Sequence, residues 1–586
     1  MKLKYFALVG LLGFTACDDV IDLKPLDSFT DNSYWTSVND LRGYANRFYT
    51  NLAGPSSGYD NQSDNRVPGS YDAWLYNEYN LDQASDWSWS NIRNLNFFMV
   101  RYNRVQGTES EINAQVAVIR FFRALDYFGK IKSYGDVPWY EKDLTEADQE
   151  ELFKKRDDRD FILAKVIEDL EFAIKWLPEK NAASECALHK DVARAQLSRV
   201  CLYYGTFKKY HKVAGTPSSQ ELLQKAADNA KAVMETGRYE IVRGEDAGCG
   251  QKSFDGYPLY YQNLFVQEDL SANKEAILFR KYEAGKVTHE TARQDAAPGF
   301  SKDFAESFLC KDGKPIGVSD LYQGDETLDK ELENRDPRMY QVIDNIHRPW
   351  TVQKDGTINV HQSGQPGQTG SAPDVSASKS VTGYWNTKHL SADPTQWIAS
   401  STTYDFIVYR YAEVLLNYAE AMYELGNMNQ DVLDKTINVI RDRVDMPHLT
   451  MEVGFTDPNW PNYGYTVDPL LQEIRRERRI ELVAEGFRYD DIIRWKAVKL
   501  FENPKTVLGM RVTNAVKALY PAGTFEGEKG RALVEYNGKT YIRPYSKPLD
   551  DAGRKWKDND KRFLNPISKN VILLNPNITQ NPGWTE

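Results

Sequence analysis

Residues 63–89, SDNRVPGSYDAWLYNEYNLDQASDWSW, carry flat aromatic side chains among polar ones at high density. A sugar ring has an apolar face of C–H groups and a rim of hydroxyls, so a site for it needs aromatic rings beside groups that donate and accept hydrogen bonds. The side chains here that suit such a site are Asp64, Asn65, Arg66, Trp74 and Trp87. Core packing is the alternative for aromatic residues, and for the two tryptophans, which lie in polar surroundings without an apolar period, both interpretations remain open.

Two further tryptophans, Trp350 and Trp385, flank a Gly/Ser/Pro-rich stretch, HQSGQPGQTGSAPDVSASKS, whose composition predicts a loop or disorder. They could complete an aromatic arc or could pin the ends of that loop. Long loops on a helical scaffold are usually functional. We therefore include Trp350 among the candidate ligand-binding residues.

Motifs for catalysis are weak by comparison. GPSSG, residues 54–58, fits the pattern of a hydrolase nucleophile elbow, but that turn needs a strand before it and a helix after it, and here a helix precedes and a polar loop follows. The chain has no H-E-x-x-H, no phosphate-binding loop and no G-x-G-x-x-G. A glycosidase is harder to exclude, because its paired carboxylates have no fixed spacing and the chain has 84 acids. In RRERRIEL, however, acids interleave with arginines, which indicates exposed or interhelical ion pairs.

A bound metal has little support in the sequence. Asp64 or the acids of residues 325–336 could contact a structural calcium, but no calcium-loop motif is present. The cysteines after residue 17 form no C-x-x-C pair and lie at no metal-ligand spacing from a histidine. We therefore predict no cofactor and no metal.

The amino terminus has the features of an export signal. Lys2 and Lys4 precede an apolar run that ends in small residues, which predicts a secretory signal peptide over residues 1–16. FTAC, residues 14–17, resembles a bacterial lipobox, in which the cysteine becomes the first mature residue and carries acyl chains. We predict lipidation of Cys17 and a lipid-anchored segment over 17–36, the alternative being ordinary cleavage before an incidental cysteine.

Charge and hydropathy limit the partners. Without residues 1–16 the chain keeps 71 basic and 84 acidic residues, a formal charge of −13, since that segment holds two lysines and no acids. A nucleic-acid partner is disfavoured, because phosphate binding needs a basic face. No further run of eighteen apolar residues is present to span a membrane.

Helical periodicity runs through most of the chain, and strand alternation is almost absent. Ser37 and Asp40 predict a capping box at a helix start. VIRFFRALDYFG (118–129) and LLNYAEAMYELG (415–426) align at an offset of 297, with small residues where packed helices would cross. This pattern is typical of paired helices similar to tetratricopeptide repeats, although the full repeat consensus is absent. A short hairpin is predicted around Asn537-Gly538.

Five segments together carry a family resemblance that covers nearly the whole chain. RFFRALDYFGKIKSYGDVPWY (120–140), ENRDPRM (333–339), YRYAEVLLNYAEAMYELGN (409–427), IRRERRIELVAEGFRYDDIIRW (474–495) and NPNITQNPGW (575–584) look like the SusD/RagB family in type and order. The resemblance implies an all-α fold with about four tetratricopeptide-like helix pairs, near 111–135, 158–210, 405–445 and 469–500. Within a single domain over 37–586, irregular regions 54–88 and 243–403 would face the ligand.

The same resemblance implies a function and further site residues. It implies a non-catalytic lipoprotein on the outer membrane that captures oligosaccharides and delivers them to a SusC-like TonB-dependent transporter. The loop after the first helix would line the glycan site, and a second loop near 280–295 adds Tyr282, His289 and Arg293. A lone histidine is more often a structural residue. Asp18 and Asp19 resemble an acidic surface-export signal, or they begin a solvated linker. A peptide-capturing RagB-like protein and a glycoside hydrolase remain alternatives.

Overall fold

Helices form most of the regular structure, as the periodicity of the sequence predicts. The computed structural model describes residues 31–84, 87–243, 253–290, 298–359, 373–375, 380–526 and 532–584. The predicted signal peptide, Cys17, the acidic pair after it, Arg293 and most of the Gly/Ser/Pro-rich stretch lie outside these ranges. Those predictions therefore stay predictions.

The helices of the amino-terminal part are α1 Asp31–Tyr34, α2 Val38–Asn46, α3 Ser90–Met99, α4 Glu109–Tyr134, α5 Gln149–Leu152, α6 Arg159–Trp176, α7 Lys190–His211 and α8 Ser219–Met234. Those that follow are α9 Lys302–Ser307, α10 Leu328–Leu332, α11 Pro337–Val342, α12 Tyr411–Glu424, α13 Gln430–Lys435, α14 Ile437–Asp442, α15 Pro469–Glu481, α16 Arg488–Arg494, α17 Asn514–Lys517 and α18 Lys569–Leu574.

The long helices pack on one another in chain order and form the scaffold. α4 packs on α6, α6 on α7, α7 on α8, and α8 on α12, which also contacts α15. α7 and α8 approach closely at Gly205, where an added Cβ would lie 2.8 Å from Leu223 Cγ. The predicted helical ranges overlap α4, α6 and α7, α12 to α14, and α15 and α16, with differences of one or two residues at the start of α4 and the end of α7, whereas α8 lies outside them. The prediction of an all-α fold built from packed helix pairs is confirmed.

Local signals fix several element boundaries. The capping box predicted at Ser37 is present, with the Ser37 backbone N–H donating to Asp40 Oδ2 at 2.7 Å. α4 begins at a second box, in which the Glu111 backbone N–H donates to Thr108 Oγ1 at 3.3 Å. Across the described ranges, no helix combines the length and the hydropathy needed to cross a bilayer.

The strands are short and form five antiparallel pairs within the described residues. They are β1 Arg66–Val67 with β5 Gly299–Phe300, β2 Ser253–Phe254 with β3 Tyr257–Pro258, β4 Ala276–Arg280 with β8 Phe406–Arg410, β6 Thr351–Val352 with β7 Ile358–Asn359, and β9 Ala532–Tyr536 with β10 Lys539–Arg543. The predicted hairpin is confirmed as β9–β10, whose turn has φ of 51° at Asn537 and 71° at Gly538.

Buried ion pairs attach the irregular regions to the scaffold. Helix α15 carries the arginine-rich motif, and most of its charged side chains are buried. Glu481 accepts hydrogen bonds from Arg410 at 2.7 Å and from Arg338 at 3.1 Å, and it also pairs with Arg443. Arg338 lies in α11, within the irregular part of the chain, so this carboxylate connects a loop region to the helical core. The ion pairs of Glu481 are buried and connect α15 with α11, with strand β8 and with the residue that follows α14.

Candidate ligand-binding site

Three tryptophans, Trp350, Trp385 and Trp397, form one aromatic cluster in the irregular region. The ring centroids of Trp350 and Trp385 lie 6.2 Å apart at an interplanar angle of 54°. Those of Trp350 and Trp397 lie 5.2 Å apart at 69°. The contact between Trp350 and Trp385 brings the two ends of the intervening loop together, as the pinning interpretation predicts. The alternative interpretation, an aromatic arc that contacts a ligand, also remains open, because Trp397 adds a third ring to the cluster.

Short turns hold each ring in place. Trp350 directly precedes β6, and its backbone N–H donates to Asn359 O at 3.0 Å across the β6–β7 hairpin. Trp397 ends a 3₁₀ turn that Asp393 caps by accepting the Thr395 backbone N–H at 2.8 Å. The Trp397 indole N–H donates to Ser391 O at 2.7 Å. That bond fixes the orientation of the indole ring.

The cluster opens to solvent on the side of Trp350 and Trp397. Both rings are half-buried, whereas Trp385 beneath them is buried. Ile398, next to Trp397, is 61% exposed, which is unusual for a large apolar side chain. The same segment carries three hydroxyl-bearing residues, of which Ser400 is exposed and Thr395 and Ser401 are half-buried. Aromatic faces beside hydroxyl groups match the chemistry that a sugar ring requires.

A second aromatic group contacts the same segment. His289 lies between Tyr282 and Tyr404, with both pairs of ring centroids 4.6 Å apart. The His289 backbone N–H donates to Thr402 O at 3.1 Å, so the segment 394–405 connects this group to the tryptophan cluster. The loop after the first helix also reaches this point, since a Cβ on Gly54 would lie 3.6 Å from the Tyr282 hydroxyl oxygen.

The electrostatics of this second group favour a structural role. Burial lowers the pKa of His289 to about 4, so the imidazole is neutral at pH 7. Its Nε2 lies 3.0 Å from the carbonyl oxygen of Tyr404 and therefore carries the proton that it donates. Tyr282 is 7% exposed. His289 and Tyr282 thus have a structural role, and the Tyr282 side chain has almost no accessible surface that a ligand could contact.

The polar residues predicted from the first loop are buried, which contradicts a direct contact with a ligand at the surface. Asp64 accepts from Arg488 Nε and Nη2 at 2.7 Å each. Asn65 Oδ1 accepts from Arg479 Nε at 2.7 Å. Arg66 donates to carbonyl oxygens, at 2.7 Å to Ser57 O and 2.8 Å to Pro298 O. All three side chains tie the loop to the rest of the chain.

The two tryptophans of that loop are not the exposed platform that we predicted. Trp74 is 8% exposed, stacks on Trp584 at 5.6 Å and 23°, and donates its indole N–H to Tyr489 Oη at 2.9 Å. Trp87 is half-buried against Tyr134, with ring centroids 4.9 Å apart, and it lines a different groove. Of the predicted site residues that the structure describes, only Trp350 belongs to the tryptophan cluster, and His289 contacts the segment next to it.

Trp397 and Ile398 were missed by the sequence analysis. An Asp-Pro dipeptide four residues before Trp397 is a turn signal that could have indicated an exposed aromatic after a turn. As for metal ions, the residues that the structure describes contain no group of three or more His, Cys, Asp or Glu side chains arranged to hold one.

Comparison with known proteins identifies relatives over almost the full length. The model of the SusD family matches residues 274–584. SusD-like protein P2 of Formosa agariphila is 23% identical over 518 residues, which cover 84% of this chain and 91% of that protein. A SusD-like protein of Bacteroides fragilis has a TM-score of 0.67 at 22% identity and covers 96% of this chain and 100% of its own.

A SusD-like carbohydrate binding protein, also from Bacteroides fragilis, has a TM-score of 0.65 at 21% identity, with 93% of this chain and 100% of its own covered. At such identities the two solved structures establish the fold. The family model, in contrast, matches more than half of the sequence. This chain therefore belongs to the SusD family.

Proposed function

We propose that this protein captures a carbohydrate at the surface formed by Trp350, Trp397 and the segment around them. The observation that carries the proposal is the pair of half-buried indole rings held at 69° in the same segment as three hydroxyl-bearing residues, of which Ser400 is exposed and Thr395 and Ser401 are half-buried. Solvent-facing aromatic clusters of this kind mark interaction sites. The carbohydrate-binding description of the Bacteroides fragilis relative points to the same ligand class.

The geometry supports binding through stacking. The interplanar angle of 69° means that the two rings cannot lie flat against one planar ligand. A chain that bends between neighbouring sugar rings can present one ring to each indole. Covering about 60 Å² of apolar ring surface would contribute ~1.5 kcal/mol at ~25 cal/mol per Å².

We propose that the site binds without cleaving its ligand. A retaining or inverting glycosidase needs two carboxyl groups facing one open cleft. The acids near the tryptophan cluster have local partners: Asp393 caps a turn, Glu290 accepts the Ser400 backbone N–H at 2.5 Å, and Asp344 pairs with Arg348 at 3.1 Å. These contacts support a structural role of the three acids within the loops and not a role as the acid–base pair of a glycosidase.

Delivery to a membrane transporter completes the proposal. The signal sequence and the lipobox-like residues before Cys17 support anchoring to the outer membrane, facing the exterior. A SusC-like TonB-dependent transporter is the partner that the family resemblance implies. Tethering beside such a transporter raises the effective concentration of the captured ligand, so that a modest affinity suffices.

Calorimetric titration with a panel of oligosaccharides tests the proposal. We expect Trp397→Ala to weaken binding about tenfold, which corresponds to ~1.4 kcal/mol. Trp176→Ala is the matched control, because Trp176 is also half-buried but lies at the end of α6 in the scaffold. Binding that survives in Trp397→Ala and Trp350→Ala alike would refute the site.

Two other outcomes of these assays would indicate a different function. Peptide binding with no response to any glycan would indicate a peptide-capturing protein. Time-dependent release of reducing sugar, abolished by one carboxylate-to-amide substitution, would indicate a hydrolase. Neither outcome is expected for a site that holds its ligand by stacking.

A further inference from the structure

An apolar groove lies on the scaffold away from the tryptophan cluster. It has a volume of about 380 Å³ and lies between the start of α3, the stretch 140–152 and α18. Its aromatic and aliphatic walls are formed mainly by Trp87, Trp89, Tyr140, Leu144, Val571 and Ile578. Arg93 and Lys142 are the charged residues among those that line it in the described part of the chain.

The groove continues into uncovered apolar surface. Leu573 and Leu574 at the end of α18 are 80% and 75% exposed, more than any other large apolar side chain in the described ranges. Leu152 and Phe153, on the stretch that forms another wall, are 36% and 40% exposed. Adjoining exposed apolar side chains of this size mark a surface that binds another segment or molecule.

The described part of the chain begins beside this groove. Asp31 Oδ1 lies 2.5 Å from Arg101 Nε, and Arg101 Nη1 lies 2.7 Å from Asp143 Oδ2. Asp143 stands between Lys142 and Leu144, which both line the groove. One arginine therefore connects the first described residue to the groove wall.

The preceding residues are long enough to reach across the groove. Arg101 follows the end of α3, whereas Arg93 near its start lines the groove. The ten residues of α3 span about 15 Å, which is about the distance that the preceding segment must cover. The ten residue steps from Ile21 to Asp31 span up to about 33 Å when extended.

The sequence of residues 18–30, DDVIDLKPLDSFT, is complementary to the groove in both hydropathy and charge. Ile21, Leu23 and Pro25 alternate with Asp22 and Lys24, so in an extended conformation the apolar side chains share one side. A proline also favours extended backbone at the residue before it. The segment has four aspartates and one lysine, and the charged residues that line the groove are basic.

We infer that residues 20–29 bind in this groove as an extended strap, with Ile21, Leu23 and Pro25 toward its apolar walls and the aspartates toward Arg93 and Lys142. The inference does not require lipidation of Cys17. If the proposed anchor is present, the strap places the point of attachment at this side of the scaffold, because only a few residues then separate the lipid from the groove.

Zero-length cross-linking of the purified mature chain tests the position of the strap. A carbodiimide joins a carboxylate to an amine in direct contact, so we expect an amide between Asp22 or Asp27 and Lys142, identified by mass spectrometry. Lys142→Arg should remove this product, and Lys155→Arg, a change at an exposed lysine that does not line the groove, should leave it. Absence of the product would overturn the inference.

Mixing isotopically labelled and unlabelled chains identifies the occupant. We expect the cross-link within one chain. A product that joins labelled to unlabelled chains would show that a second copy occupies the groove and would overturn the inference.

Hydrogen exchange provides a measurement independent of the cross-link. In the full mature chain carrying Ile21→Asp and Leu23→Asp, we expect amides of residues 569–578 to exchange at least tenfold faster than in the parent. Ser28→Asp adds a charge without removing an apolar side chain and should leave exchange unchanged. Equal exchange in all three chains, or protection that arises only after outer-membrane extract is added, would contradict the strap.

Discussion

The buried position of Asp64 leads to the sharpest prediction about this chain. Its side chain is fully buried, and its carboxylate binds Arg488 through two bonds of 2.7 Å, with Arg479 Nη2 at 3.3 Å. Burial alone would raise the pKa of Asp64, but the two guanidinium groups lower it from 3.8 to about 2. We expect Asp64→Asn to destabilise the fold and to leave the ligand site intact.

The magnitude follows from the loss of one buried charge. Asparagine has the shape of aspartate, so the variant leaves Arg488 buried without its carboxylate partner, which costs ~3–5 kcal/mol. The wild-type pair should also weaken in acid. Because the folded-state pKa is the lower one, its contribution is complete above pH 3.8 and is lost as the pH falls to about 2. That lowering corresponds to about 2 kcal/mol.

Urea unfolding followed by tryptophan fluorescence measures the effect, with binding assayed separately on the folded variant. A double-mutant cycle with Arg488→Gln isolates the pair and should give a coupling energy of ~1–3 kcal/mol. A variant that keeps its stability but loses ligand affinity would refute this reasoning. That result would return Asp64 to the binding surface that the sequence suggested.

Three further predictions concern packing and pH. Gly205→Ala should lower the free energy of unfolding by ~1–3 kcal/mol in urea titration, although alanine favours helices, because its Cβ would lie 2.8 Å from Leu223 Cγ; a stabilised variant would contradict the close helix crossing. Trp74→Ala should cost ~3–5 kcal/mol, whereas Tyr489→Phe, which removes only the acceptor of its indole N–H, should cost ~1 kcal/mol; equal losses would contradict a packing role. Burial raises the pKa of Asp405 from 3.8 to about 6, so stability should fall as the pH rises between those values; an unchanged pH slope in Asp405→Asn would exclude this residue as the cause.

Features that depend on neighbouring residues could be predicted from the sequence. The Ser37 capping box and the Asn537-Gly538 turn both occur as expected, because each is determined within four residues. The main scaffold helices follow from apolar spacing for the same reason. These predictions needed no knowledge of the tertiary contacts.

The sequence analysis misplaced those site residues whose contacts in the fold lie far away along the chain. Asp64 is surrounded by polar neighbours in sequence, yet its partners Arg479 and Arg488 are more than 400 residues away. Trp74 meets Trp584 in the same way. No local pattern reports such a contact, and a tryptophan in a polar stretch has the same sequence signature whether it faces solvent or a distant ring. The cluster around Trp397 was missed for the same reason, since its rings come together only through the folded loops.

The arginine-rich helix α15 has a consequence for protein engineering. Its charged side chains reach the first loop through Arg479 and α11 through Glu477 and Glu481, so loops from distant parts of the chain depend on one rigid helix. Grafting the ligand-facing region of a relative onto this scaffold would therefore require transferring the residues that pair with α15, such as Arg338, together with the aromatic rings. A chimera that carries the rings alone would present them on loops without their attachment points.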